Sequence, residues 1–196
     1  PLRVVVTLPV LKDWVQQIGG SYVHVNSLMT GYESEHTYSP KPSDLVAVRK
    51  AALLFEVGAG LEVWVASLVK NAGNGSLRVV TTSKDIELIQ DHPEPAGTSH
   101  SHEHAAGNPH VWLDPAAAAT MVQHISDAMA AADPAHATDY RTNTSTYLQA
   151  LTRVQDESLA RLRSLPSRAI IVHHPAWPYF ARRYDLHIAG TIQTQP

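Results

Sequence analysis

The chain contains no cysteine. That excludes disulfides and thiolate metal sites, and it fits a protein exported from a bacterial cell, where stray thiol oxidation is a hazard. Charge is scarce and unbiased. Asp, Glu, Lys and Arg make up 17% of the 196 residues and the net charge is −3. No basic block is present, so nothing points to nucleic acid. No apolar run approaches the roughly 20 residues of a membrane span. No signal peptide is recognisable either: the sequence opens at Pro1 directly into a strand-like run and reads as a mature or trimmed N-terminus.

What is present is an ordinary globular composition, 44% hydrophobic, in a chain long enough for one or two domains with a real core. The outlier is histidine, with 12 copies. Three of them share a local context. His36 lies in Ser34-Glu35-His36-Thr37-Tyr38, just before Pro42-Ser43-Asp44. His110 lies in Asn108-Pro109-His110-Val111-Trp112-Leu113-Asp114-Pro115. His174 lies in His173-His174-Pro175-Ala176-Trp177-Pro178-Tyr179-Phe180. Each follows an apolar run or turn and precedes a helical pattern. Equivalent context at distant positions suggests one assembled site, and neutral imidazole is the commonest protein metal ligand. His173 competes with His174 for the third place. Three imidazoles with at most one carboxylate suit tetrahedral zinc, whereas manganese favours more oxygen ligands and is the weaker expectation. The aromatic neighbours Tyr38, Trp112 and Trp177 are expected to exclude water and restrict the ligand rotamers. His24, His124, His136 and His187 stand alone and read as structural or surface residues.

A fourth segment, His100-Ser101-His102-Glu103-His104, falls in a Pro-, Gly-, Ser- and His-rich stretch from Asp91 to Gly107. Nothing in it can build a core, so it reads as a mobile loop offering a weak auxiliary metal site at His100, His102 and His104.

Elsewhere strands and helices alternate. Strands are expected at Leu2–Leu8, Tyr22–Leu28, Leu53–Gly58 and Leu77–Thr81. Helices are expected at Leu11–Ile18, Ser43–Ala51 and Leu61–Lys70. This rhythm indicates a parallel sheet with helices on both faces. Asp114-Pro115 opens a helix through Ala132. Asp133-Pro134 restarts one, with Asp133 as N-cap, and helical spacing then runs to Pro166, about 45 Å for about 30 residues. The rhythm resumes with a strand at Ala169–Val172, a helix at Trp177–Tyr184 and a strand at His187–Ile192. The fold class is therefore α/β: two parallel-sheet lobes joined by one long rigid helix. The boundaries are residues 1–132 for the N-terminal lobe with its loop 91–107, residues 133–165 for the connecting helix, and residues 166–196 for the start of a C-terminal lobe. Two strands and one helix leave that lobe with an open edge and too little core, so it reads as truncated.

In these segments, taken in order, the chain resembles the metal-binding receptors of ATP-driven zinc and manganese importers, the cluster A-I solute-binding proteins. The resemblance covers essentially the whole chain and is closest to the zinc type. It implies two α/β lobes on one long helix, with metal held in the cleft. It matches His36 and His110 to the ligands of the first lobe and His174 to the His of the second. The matching carboxylate of zinc-type receptors falls on Glu35. The sequence departs from the family at Pro175, where an Asp is usual, and in lacking a late acidic ligand, which would lie beyond Pro196. Manganese members resemble the chain but carry Glu where His174 stands.

The implied function is capture of Zn2+ outside the cytoplasm, in the periplasm or on a membrane anchor, and delivery to the membrane permease of an ABC importer. A monomer without enzymatic activity is expected. The alternatives are a zinc hydrolase or lyase using a three-His site with Glu35 as general base, and a manganese receptor of the same family. Against the first, no His-Glu-x-x-His or Gly-x-Ser-x-Gly motif occurs.

Overall fold

In a computed structural model that describes residues 1–90 and 107–193, the first strand, β1 (Leu2–Val6), is buried over its second half. Val4, Val5 and Val6 are almost completely covered. A stretch covered on both faces must lie inside a parallel sheet flanked by helices, which is why Val4–Val6 are successive apolar residues rather than an alternating pattern. Its neighbours are β2 (Val23–Ser27) and β3 (Leu53–Glu56), and β4 (Arg78–Thr81) completes a four-stranded parallel sheet of order β2-β1-β3-β4.

Helix α1 (Pro9–Gly19) connects β1 to β2, and α2 (Pro42–Lys50) crosses back to β3 on the other side of β1. Pro9 opens α1 at a position where no N–H is needed, and Gly20 ends it at φ 52°. Gly19 has a different constraint: a β-carbon there would sit 2.3 Å from the Val23 side chain, so only glycine lets β2 start this close to the helix. Helix α3 (Val65–Ala72) packs beside α2, and α4 (Pro115–Ala132) and α5 (Ala137–Arg163) pack with α1.

Two expectations shift here. The helix expected from Leu61 starts at Val65. Residues 61–64 instead form a turn that lets the Glu62 carboxylate accept hydrogen bonds from the Val57 and Gly58 N–H groups at the end of β3. Asp133 does not cap a helix. Its Oδ2 accepts from the Tyr140 hydroxyl at 2.7 Å and meets His136 Nδ1 at 2.8 Å, and a 3-10 turn over Pro134–His136 separates α4 from α5. Both are cases where a side chain found a better tertiary partner than its own backbone.

The long helix α5 spans 27 residues, about 40 Å. Tyr140 and Thr144 are buried near its start, and Asn143 donates to the Ile18 carbonyl of α1 at 2.9 Å. Its last two turns are largely exposed. After it come β5 (Ala169–Val172), α6 (Pro178–Arg183) and β6 (His187–Thr191), with β5 and β6 paired in parallel as a separate two-stranded sheet. The fold is thus α/β with two parallel sheets and one long helix between them in sequence.

Candidate metal centre

His36, His110 and His174 stand in segments that follow the carboxyl ends of β2, β4 and β5. In open parallel sheets that end is where loops converge and ligands bind. The structure brings the three imidazoles together: one nitrogen from each lies within 4.8 Å of the others. The ring centroids are 5.1 to 5.9 Å apart. Zinc–nitrogen bonds of about 2.0–2.1 Å at tetrahedral angles put neighbouring nitrogens about 3.4 Å apart. His110 Nε2 and His174 Nε2 already stand at 3.3 Å. Closing the triangle on an ion needs shifts no larger than about 1.5 Å by the same geometry.

Each segment is fixed by its own means. His36 sits in a tight turn in which the Thr37 N–H donates to the Ser34 carbonyl. The Trp64 indole N–H donates to the Glu35 carbonyl at 3.2 Å. Tyr38 packs on Trp64 with centroids 4.9 Å apart and donates its hydroxyl proton to Asp44 at 2.7 Å. Asp44 Oδ2 also accepts the Lys41 N–H at the start of α2. Burial and the Asp44 carboxylate push the Tyr38 hydroxyl up, so it remains a donor. Tyr38 therefore clamps the loop to α2.

His110 is buried. Its Nδ1 lies 2.9 Å from Asn108 Oδ1, and its ring is 5.3 Å from Trp112. His174 is half-buried, and His173 beside it is exposed, so the structure turns His174 and not His173 toward the cluster. Burial first, and the neighbouring His110 second, lower the pKa of His174 and favour the neutral imidazole that a metal needs. Glu35 Oε1 lies 3.7 Å from His110 Nε2. The His110 imidazole is the main cause that holds the Glu35 carboxyl down, at about 2, against the opposing effect of burial. Three nitrogens thus converge, with the Glu35 carboxylate beside the His110 ring. Trp177 is 36% exposed and stands edge-on to Phe180 at 5.5 Å, at the start of α6. His100, His102 and His104 lie outside the described residues.

The model of the periplasmic zinc-uptake complex component A, ZnuA, matches residues 4–196. The chain belongs to this family. A putative metal-binding protein of Treponema pallidum is 32% identical over 190 residues, covering 94% of this chain and 60% of the relative. The manganese-binding lipoprotein MntA of Halalkalibacterium halodurans is 29% identical, with 96% of this chain and 60% of the relative covered. A crystal structure of a zinc-bound ZnuA deletion mutant superposes with a TM-score of 0.87 at 28% identity, covering 99% of this chain and 70% of the other. The chain therefore spans about 60% of the length of these curated relatives. The ZnuA family is a family of metal-binding receptors, not of enzymes. Among the described residues no helix is long and apolar enough to cross a membrane.

Sequence reasoning passed over several residues that hold the centre. Asn108, Tyr179, Asp114 and Arg183 join the His110 segment to the segment around α6. Asn108 Nδ2 donates to the Pro175 carbonyl at 2.8 Å. The Tyr179 hydroxyl donates to the Asn108 carbonyl at 2.6 Å and accepts the Ile89 N–H at 2.9 Å. Arg183 binds Asp114 through two hydrogen bonds, at 2.7 and 2.8 Å. Asn108, Asp114 and Tyr179 stand in the quoted segments and Arg183 just beyond them, all within nine residues of His110 or His174. Nothing in one dimension pairs them. Among the histidines expected to be structural, His124 Nδ1 meets the Thr82 carbonyl at 2.9 Å and His136 stacks on Tyr22 with centroids 4.0 Å apart. His24 and His187 are exposed.

Proposed function

We propose that this protein captures Zn2+ outside the cytoplasm and delivers it to the permease of an ABC importer. The observation that carries this reading is the convergence of His36, His110 and His174 within 4.8 Å, with Glu35 at 3.7 Å from His110 as the fourth ligand. Three neutral nitrogens and one carboxylate form the donor set of a four-coordinate zinc site, and they undersupply manganese, which prefers more oxygen ligands. Membership of the ZnuA family supports zinc, while the manganese name of MntA shows why selectivity has to be measured.

The arrangement also supports delivery rather than permanent storage. His36 and His110 stand in segments that follow strands of the four-stranded sheet, and His174 stands in the segment between β5 and α6. The assigned organisation is an N-terminal lobe over residues 1–132, a connecting segment over 133–165 and the beginning of a second lobe over 166–196. Moving the second unit away from the first removes one of three imidazoles, which weakens the site sharply without any chemistry. His100, His102 and His104 are assigned as a weaker collecting site in the sequence preceding His110. A periplasmic or lipid-anchored monomer fits this role.

Metal competition on the purified protein tests the reading. One tight zinc per chain, displaced poorly by a large excess of Mn2+, is expected. Equal or tighter manganese binding overturns the zinc assignment. Undiminished zinc binding after His110→Ala and His174→Ala overturns the site.

A further inference from the structure

The buried groups around Asn108 settle a question that the histidine cluster leaves open, namely which ring nitrogen of His110 faces the site. A backbone N–H can only donate and a backbone carbonyl can only accept. Asn108 Oδ1 stands 3.1 Å from the His110 N–H, and Asn108 Nδ2 stands 2.8 Å from the Pro175 carbonyl. Those two groups, which have no alternative protonation state, fix the orientation of the amide. With Oδ1 held there, the His110 Nδ1 at 2.9 Å has to carry the ring proton. In the neutral ring that a metal needs, the lone pair is then on Nε2, the atom 3.3 Å from His174 Nε2 and 3.7 Å from Glu35 Oε1.

The geometry points to Asn108 as the positioning residue of the centre, acting on two ligands through one amide. Its oxygen sets the tautomer and rotamer of His110. Its NH2 group ties that same residue to the Pro175 carbonyl, immediately after His174. This deepens the metal-capture reading and rests on it for the identity of the ion, although the tautomer assignment stands without the ion. The main chain of Asn108 is held separately. Its N–H donates to the Ile89 carbonyl at 2.8 Å, and its carbonyl accepts from Tyr179. The amide is therefore presented from a fixed backbone on the first segment and reaches across to the second.

The two functions separate by substitution. Asn108→Ala removes both. Asn108→Asp keeps an acceptor for His110 Nδ1–H and loses the donor to Pro175. Tyr179→Phe loosens the Asn108 main chain and leaves its side chain in place. The tautomer of His110 is read in the metal-free protein from long-range proton–nitrogen correlations of the imidazole, and zinc affinity by competition with a chelator of known strength. In the wild type and in Tyr179→Phe, His110 should be protonated on Nδ1. In Asn108→Ala the two tautomers should mix and zinc affinity should drop about 10- to 100-fold, the range for partners that orient a metal-ligating His. Asn108→Asp should restore the Nδ1–H form and recover part of that affinity.

Four results overturn the assignment: an Nε2-protonated His110 in the wild type, an unchanged tautomer with affinity within twofold in Asn108→Ala, loss of the Nδ1–H form in Asn108→Asp, or an equal tautomer change in Tyr179→Phe. If Asn108→Ala does not fold, the Asp and Phe variants decide the matter alone. Absence of zinc binding by the wild type would instead refute the capture reading and leave the tautomer result intact.

Discussion

Replacing Arg183 with Met should cost this protein about 2 kcal/mol of stability, a figure set between two limits. Exposed ion pairs contribute about 0–1 kcal/mol. Loss of a hydrogen bond to a buried charged group costs about 1.5–3 kcal/mol. Here the Asp114 side chain is 6% exposed and that of Arg183 35%, and both guanidinium contacts are short, at 2.7 and 2.8 Å. Removing the guanidinium leaves a covered carboxylate with one remaining donor, the Ala116 N–H at the start of α4 at 3.0 Å. Water can reach the vacated side, which keeps the loss below that of a fully buried pair. Met preserves the apolar stem, so little packing is lost. For a chain of this size, about 2 kcal/mol corresponds to a fall of roughly 4–8 °C in the melting midpoint.

Two comparisons sharpen that expectation. Asp114→Asn keeps the acceptor for Ala116 and should resemble Arg183→Met, whereas Asp114→Ala also removes the helix cap and should cost about 1 kcal/mol more. Arg161 pairs with Glu157 at 4.0 Å, with side chains 83% and 68% exposed, so Arg161→Met should lie within about 0.5 kcal/mol of wild type. Denaturant and thermal unfolding of the metal-free protein measure all four. If Arg183→Met and Arg161→Met prove indistinguishable, the pair between α4 and α6 contributes nothing and this reasoning fails.

Other consequences follow from the same groups. Burial lowers the pKa of His174, so the unfolded chain takes up this proton before the folded one does. Metal-free stability should therefore fall as pH drops below about 6.5, the free-imidazole value, and a wild-type acid limb no steeper than that of His174→Gln would contradict it. Burial shifts Glu62 the other way: it pushes the carboxyl up to about 7, although Thr7, Val57 and Gly58 donate to it. The folded state then holds the extra proton between about pH 4.5 and 7, so stability falls as pH rises through that window and levels off above it. Denaturation midpoints of Glu62→Gln against wild type should converge or cross in the variant's favour with rising pH, and a pH-independent gap would count against this. Zinc binding itself should weaken as pH falls through the imidazole range, because each ligand must be deprotonated. Calorimetry from pH 8 to pH 5 should show that loss, and a flat profile would argue against imidazole ligands.

Much of the fold was legible because its causes are local. The run Leu2–Val6 has to be a strand, doubly covered over Val4–Val6, and Pro115 behind Asp114 has to open a helix, whatever lies elsewhere in the chain. The Asp114 cap is present, with the Ala116 N–H as donor. The three His segments were recognisable because each follows a strand and precedes a helical pattern. Folding then brings the ends of parallel strands to one side, and the cluster results. Trp112 lies beside the His110 ring, Tyr38 packs on Trp64 and Trp177 stands against Phe180.

The rest depended on partners that sequence order does not name. Asp133 was a sound N-cap by local rules, yet Tyr140 and His136 offered its carboxylate stronger partners. Glu62 belonged to an amphipathic pattern, yet unpaired N–H groups at the end of β3 drew it inward. The choice of His174 over His173 and the bridges made by Asn108 and Arg183 depend on atoms more than 60 residues apart in sequence meeting within about 3 Å. Residue type and spacing determined which groups could bind a metal. Only the contacts of the Pro175 and α6 segments with the segment around His110 decided which of them meet, because hydrogen bonds act over a few ångströms in space and have no range along the chain.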